Sequence, residues 1–238
     1  YVLNRMQVNN QPGHQLSKSH EQLKVDRNQV LELKKLVSRG EGQFLEFKRK
    51  AAHPDKIAHE LIAFANTGGG TLLVGVDDDK SIPGVKFPEE ESHAINITVD
   101  KQCRPKLEFT ETIIKISEKQ FVLQLDVPKS GRPPHYFITS PERKDCYVRV
   151  NDKSMKASRE MREIIRRSRA KNGVRFTYGE KEGQLIKYLS ERPTITLEEF
   201  RKLAAINRFI ASKKLVLLVL GHVLKITPTE KGDLYSRF

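Results

Sequence analysis

Two short stretches of this chain carry residues that could do chemistry together. Glu41-Gly-Gln-Phe-Leu-Glu46-Phe-Lys48 reads as a strand, and a period of two puts Phe44, Glu46 and Lys48 on one face and Leu45 and Phe47 on the other. A carboxylate and an ammonium therefore project side by side. In Gly68-Gly-Gly-Thr-Leu-Leu-Val-Gly-Val-Asp77-Asp78-Asp79, an apolar run from Leu72 to Val76 stops abruptly in three aspartates. Carboxylates at the end of a buried strand call for a cation, a donor-rich ligand or a turn. The structural alternative stays open: Glu46 and Lys48 can pair with each other, and Asp77, Asp78 and Asp79 can form a turn with Lys80. Glu41 stands between Gly40 and Gly42, where the chain can bend to aim a side chain.

Helices must position these strands. From Asp26, the spacing of Val30, Leu31, Leu33, Leu36 and Val37 predicts a helix that Gly40 ends. His53-Pro54 opens a second, with Ile57, Leu61 and Phe64 on its inner face, and Asn66-Thr67-Gly68 closes it. A third is expected from Glu90 to Gln102. Leu107 to Ile116 and Gln120 to Val127 alternate as a hairpin, and Tyr136-Phe-Ile138 and Tyr147-Val-Arg-Val150 read as further strands. Ser158 caps a helix with Met161, Ile164 and Ile165 inward and Arg159, Arg162, Arg166 and Arg169 outward. Beyond it, helices are expected at Glu180 to Ser190, from the capping box Thr196-Leu-Glu-Glu199, and from Asn207. Leu215 to Leu220, Gly221-His222 and Val223 to Thr227 then read as a hairpin, which gives the order of a winged helix. The expected organisation is an irregular arm over 1–25, a mixed α/β core over 26–170, a linker over 171–178 and a winged-helix domain over 179–238.

The chain has 238 residues and a net charge of +13, unevenly distributed. Residues 41–151 hold 16 Lys and Arg against 17 Asp and Glu, whereas residues 152–175 hold 9 against 3. The acidic strands thus sit in a near-neutral segment, and the positive charge flanks them. That suits a polyanion gripped by basic surfaces. The candidate phosphate contacts are Arg159, Arg162, Arg166, Arg167, Arg169 and Lys171, with Arg208, Lys213 and Lys214 beside the third helix of the tail. The alternative for the arginine helix is a solvated interdomain surface. Two cysteines, Cys103 and Cys146, exclude a disulfide framework or a four-ligand zinc site from this chain alone. With no membrane-length apolar run, the expected setting is cytoplasmic and without a membrane partner. The glycines at 68–70 follow a helix and lack the lysine of a P-loop, so they read as a helix end rather than a nucleotide loop.

The motifs Glu-x4-Glu-Phe-Lys at 41–48, Ala-Phe-Ala-Asn-Thr-Gly-Gly-Gly at 63–70, Gly-Val-Asp-Asp-Asp at 75–79 and Tyr-Val-Arg-Val at 147–150 resemble the Schlafen core, also called the AlbA-like or divergent AAA domain. The resemblance spans roughly residues 27–169, and the tail is similar to winged-helix modules of bacterial members. It implies an α/β (α+β) core of mixed sheet and helices. For function it implies two alternatives. One is a DNA-binding protein of transcriptional-regulator type, with no cofactor. The other is an endoribonuclease cutting structured RNA such as transfer RNA, in which Glu41, Glu46 and Asp78 hold Mg²⁺ or Mn²⁺ and Lys48 meets the phosphate or orients water. The chain departs from the animal Schlafens in lacking their zinc ligands and in having one core copy, so a homodimer is the expected way to complete two lobes.

Overall fold

The computed structural model describes residues 24–169 and 177–238. The N-terminal arm up to residue 23 lies outside the described residues, as does most of the expected linker, including Lys171 and Arg175. Asp26 caps α1 (Arg27–Ser38), its carboxylate accepting from the Asn28 N–H at 2.8 Å. β1 (Leu45–Lys48) and β2 (Gly70–Val74) are parallel and joined by α2 (Pro54–Asn66), whose proline stands in the first turn where its missing N–H costs nothing. α3 (Pro88–Gln102) leads into the short β3 (Cys103–Arg104) and then the hairpin β4 (Thr110–Ser117) and β5 (Gln120–Val127). The result is a mixed four-stranded sheet in the order β1-β2-β5-β4, with β1 and β4 at its edges.

Alternation along β2 splits the core into two layers. Leu72 and Val74 pack with Ile57, Leu61 and Phe64 of α2 and Ile95 and Val99 of α3, while Leu73 packs with Leu33 and Val37 of α1 and with Phe47, Ile114 and Val122. Full burial of each such side chain stabilises by roughly 1.5–3 kcal/mol. β6 (Tyr136–Ser140) joins β3 and β7 (Arg143–Asp145) in a second sheet, and β8 (Tyr147–Val150) forms a hairpin with β9 (Lys153–Lys156). β8 lies against α2. Ser158 caps α4 (Arg159–Arg167), accepting from the Met161 N–H at 2.9 Å.

The tail has its own core, built from Leu185, Phe200, Leu215 and Tyr235 among others. It comprises α5 (Glu180–Glu191), α6 (Leu197–Leu203), α7 (Arg208–Leu220) and a hairpin of β10 (Leu224–Thr227) with β11 (Leu234–Arg237). The reciprocal capping box forms at Thr196 and Glu199 as the spacing predicts. One expectation is overturned. Leu215–Leu220 is the second half of α7 rather than a strand, and Gly221 at φ −84° ends that helix rather than turning a hairpin. A continuous apolar run fits a buried helix as well as a buried strand, and here burial on several sides decides it. The partner of β10 comes instead from the C-terminal residues. α4 packs against α7, and serine–carboxylate hydrogen bonds join tail to core: Ser212 donates to Glu160 at 2.6 Å, and Ser158 donates to Asp233.

Candidate functional site

At the edge strand β1, pairing with β2 uses the main-chain groups of alternate residues, so those of Leu45 and Phe47 point outward. All four are satisfied without another strand. The segment 41–44 hooks back, and the Leu45 carbonyl accepts from the Gly42 N–H at 2.9 Å while the Leu45 N–H donates to the Gly42 carbonyl at 3.4 Å. The Phe47 N–H donates to Glu41 Oε1 at 2.9 Å, and the Phe47 carbonyl accepts from Lys48 Nζ at 2.9 Å. Side-chain charge therefore closes this edge. Gln43 stitches the hook to β8, donating to the Arg149 carbonyl at 3.2 Å and accepting from the Asn151 N–H at 2.9 Å.

Arg149 is the centre of the arrangement, and its side chain is 0% exposed. Its Nη2 donates to Glu46 Oε2 at 2.6 Å and its Nη1 to Glu60 Oε2 at 2.7 Å. The same fork reaches the Gly42 carbonyl at 3.0 Å and the Leu45 carbonyl at 3.3 Å, and it lies 5.0 Å from the centre of the Phe64 ring. A buried guanidinium with this many acceptors is compensated, which a lysine at the same place would not be. Glu46 is also bonded by Lys48, and Glu60 by Ser154. Burial pushes the Glu60 carboxyl above its ordinary range, with the Ser154 bond and the charge of Arg149 opposing.

The end of α2 holds β8 in place for this clamp. Asn66 donates to the carbonyls of His135 at 3.0 Å and Tyr147 at 2.9 Å and accepts from the His135 N–H at 2.7 Å. Thr67 Oγ1 accepts from the Arg149 N–H at 2.9 Å. Gly69, rather than Gly68, takes the left-handed turn at φ +82°, where a Cβ would stand 2.8 Å from the Val127 carbonyl oxygen. The Ala-Asn-Thr-Gly-Gly-Gly segment is thus a scaffold for the arginine clamp.

The four residues singled out around the acidic strands are neighbours. Burial raises the Glu41 pKa, opposed by the Phe47 N–H, and the charges of Glu46 and Asp78 add to the rise while Lys48 opposes it. Both oxygens of Glu46 and one of Glu41 are nonetheless committed. Glu46 serves Arg149 and Lys48, and Glu41 serves the Phe47 amide. Asp78 lies exposed in a turn, where its N–H donates to Asp77 Oδ1 at 3.2 Å and where Asp79 accepts from the Ser81 N–H at 2.8 Å. Asp77 also binds Arg49 at 2.8 Å. Among the described residues, no group of three His, Cys, Asp or Glu is placed to hold a metal ion. As arranged, these donors do not fit a divalent cation.

The basic candidates fall in two other places. On α4 and the turn that follows it, Arg159, Arg166 and Arg169 are exposed and Arg162 and Arg167 half-buried; Arg166 pairs with Glu163 at 2.7 Å, and Arg169 donates to the Pro133 carbonyl at 3.4 Å. In the tail, Arg208 is bound to Glu198 and Lys214 to Glu182, leaving Lys213 exposed. Two functional elements escape the sequence reading: Arg149 as the clamp, and a groove of about 960 Å³ beside β1 and the glycines. An arginine inside the apolar strand Tyr147–Val150 is the one signal that points to the former.

Residues 41–158 match the family model described as Schlafen, AlbA_2. Among solved structures, the DIP2311 protein from Corynebacterium diphtheriae is similar at 18% identity and a TM-score of 0.43, over 87% of this chain and 38% of that one. The N-terminal domain of a DNA helicase RecG-related protein from Nitrosomonas europaea is similar at 19% identity and a TM-score of 0.40, over 53% of this chain and 92% of that one. This chain thus spans little more than a third of the Corynebacterium protein. No curated protein matches the sequence. The segment from 41 to 158, just under half of the chain, is thus similar to the Schlafen, AlbA_2 family.

Proposed function

We propose that this protein binds nucleic acid, with the arginines of α4 as its main phosphate contacts and the conspicuous carboxylates of β1 acting as structural groups. The observation that carries this reading is the division of charge: Glu46 is buried against Arg149 and Glu41 accepts from the Phe47 amide, while Arg159 on α4 and Arg169 just beyond its end stand exposed. A row of guanidinium groups matches the geometry of phosphate and releases counterions on binding. The transcriptional-regulator form of this reading would put α7 of the tail, taken as a winged helix, in a major groove. Pairing of Arg208 and Lys214 within the tail leaves Lys213 as its principal free cation among these three, which favours the core as the stronger grip.

The test is fluorescence anisotropy with duplex DNA, single-stranded oligonucleotides and transfer RNA over a salt series. Replacing Arg159, Arg162 and Arg169 by alanine is expected to lower affinity for all of them and to flatten the salt slope by roughly 0.7–0.9 for each phosphate that is no longer neutralised. Lys213→Ala is expected to do less. Mn²⁺-dependent cleavage of transfer RNA by the pure protein, abolished in Glu46→Gln, would overturn the reading in favour of hydrolysis. Sedimentation of the same samples tests whether the expected homodimer is the binding form.

A further inference from the structure

We infer that the groove beside β1 receives one unstacked base of a single-stranded nucleic acid, laid on the ring of Phe44, with the strand's phosphates leaving over Lys129 and Arg132 toward α4. This rests on the nucleic-acid reading above and adds a site to it. The groove's volume of about 960 Å³ lies within the roughly 300–1,000 Å³ of ligand sites. At its wall stands Phe44, 60% exposed although it adjoins a core strand. Leu36, Phe109 and Val127 line the same groove, and an open ring that joins such an apolar patch marks a binding surface more often than an isolated surface residue does.

The ring is held for this purpose. It packs close to Gly68, where an added Cβ would come within 2.8 Å of the Phe44 Cε1, so only a glycine leaves the ring room there. Gly69 and Gly70 continue the floor without side chains, and Phe109 adds a second aromatic wall. Nucleobases of every kind have a π-face, and aromatic platforms take them without sequence preference. A base inside a duplex cannot reach such a recess, which selects single strands, loops or ends.

Charge gives the strand its direction. Arg39 and Lys129 line the groove, as do Glu41, Glu108 and Asp126. Two of these acids are occupied, Glu41 by the Phe47 amide and Asp126 by Thr71 at 2.6 Å and Gln124 at 2.8 Å. Lys129 begins a loop pinned to the end of α2 by the Ser130 N–H on the Ala65 carbonyl at 2.9 Å and closed on itself by Ser130 Oγ against His135 Nε2 at 2.6 Å. The same loop carries the exposed Arg132 and ends at Pro133, whose carbonyl meets Arg169. Cations therefore continue from the groove's rim to α4, a path longer than one phosphate. A free mononucleotide would leave most of it unused.

The experiment titrates the full chain with short single-stranded RNA and DNA carrying one 2-aminopurine, with the matching duplexes, and with mononucleotides. Expected are quenching of the 2-aminopurine on binding, loss of that quenching and about tenfold weaker single-strand binding in Phe44→Ala, retention in Phe44→Tyr, and unchanged duplex affinity. Thermal melting checks the variants' folding, and Lys129→Ala, outside the core, provides a second handle with a shallower salt slope. Unchanged single-strand affinity and quenching in Phe44→Ala, alongside weakened binding in the α4 alanine variant, would overturn the inference and leave the nucleic-acid reading intact. Mononucleotides binding as tightly as oligonucleotides would overturn the single-strand assignment. Absence of binding to every nucleic acid would remove the reading itself.

Discussion

The edge of β1 and the surface of α4 are both rich in charge, and they use it in opposite ways. At β1, Glu46, Glu60, Lys48 and Arg149 satisfy one another and the strand's own amides, in a setting where the Arg149 side chain is 0% exposed. On α4, the arginines meet short-range partners such as Glu163 and backbone carbonyls while facing solvent. Residue type alone does not separate a site from a scaffold. What separates them is whether the partner of a charge is already inside the protein or has to come from outside.

The comparison can be broken most sharply at Arg149. Arg149→Leu leaves the half-buried Glu60 without its ion-pair partner and the buried Glu46 with Lys48 alone, and is expected to cost about 3–5 kcal/mol, read by chemical denaturation, with Arg149→Lys recovering only part of it. If Arg149→Leu melts like the native protein, the β1 cluster is not a scaffold. Glu46→Gln keeps the shape but removes one charge from the clamp, with an expected loss of about 1–3 kcal/mol in the same assay. By contrast, alanine at Arg159 and Arg169 is expected to shift stability by less than about 0.5 kcal/mol while lowering nucleic-acid affinity. A large drop in melting temperature there would make α4 structural too.

Glu41→Gln provides the finest distinction. Burial raises the folded pKa of Glu41 above the ordinary 4.5, so the folded state holds this proton more tightly than the unfolded chain does. Its contribution is fully present below the unfolded value and is lost as pH rises through the raised one. Glutamine retains an oxygen acceptor for the Phe47 amide but cannot titrate. Relative to the native protein, Glu41→Gln should therefore gain stability from pH 4 to pH 7, by an amount set by that shift, in paired urea melts. A constant difference across the range would mean that Glu41 does not titrate as its burial implies.

Much of the fold is legible locally. Asp26, Pro54, Ser158 and Thr196 announce helix starts through caps that need only a few neighbouring residues, and the alternation of Gln120 to Val127 announces a strand. The run Leu215–Leu220 is different, because hydrophobicity on every side carries no period and tertiary burial alone makes it helix. The acidic strands are legible as a constellation, but their use is not. Glu46 and Arg149 are 103 positions apart, and nothing local to Glu46 names its partner. Lys48 serves both uses at once, bonding Glu46 and the strand's own backbone. Likewise the groove forms only when the end of α2, the hook before β1 and the loop after β5 come together.

The hook at 41–44 also governs how the protein behaves in a crowd of its own copies. A bare outer strand invites strand addition, in which another chain extends the sheet and growth can continue without end. With Leu45 and Phe47 already bonded to Gly42, Glu41, Lys48 and Arg149, the sheet offers no free amide ladder on that side. Glu41, which looks like a reactive group in the sequence, thereby serves with Lys48 and Arg149 as a guard against self-templated aggregation, and substitutions that disarm it should be judged by solubility as well as by activity.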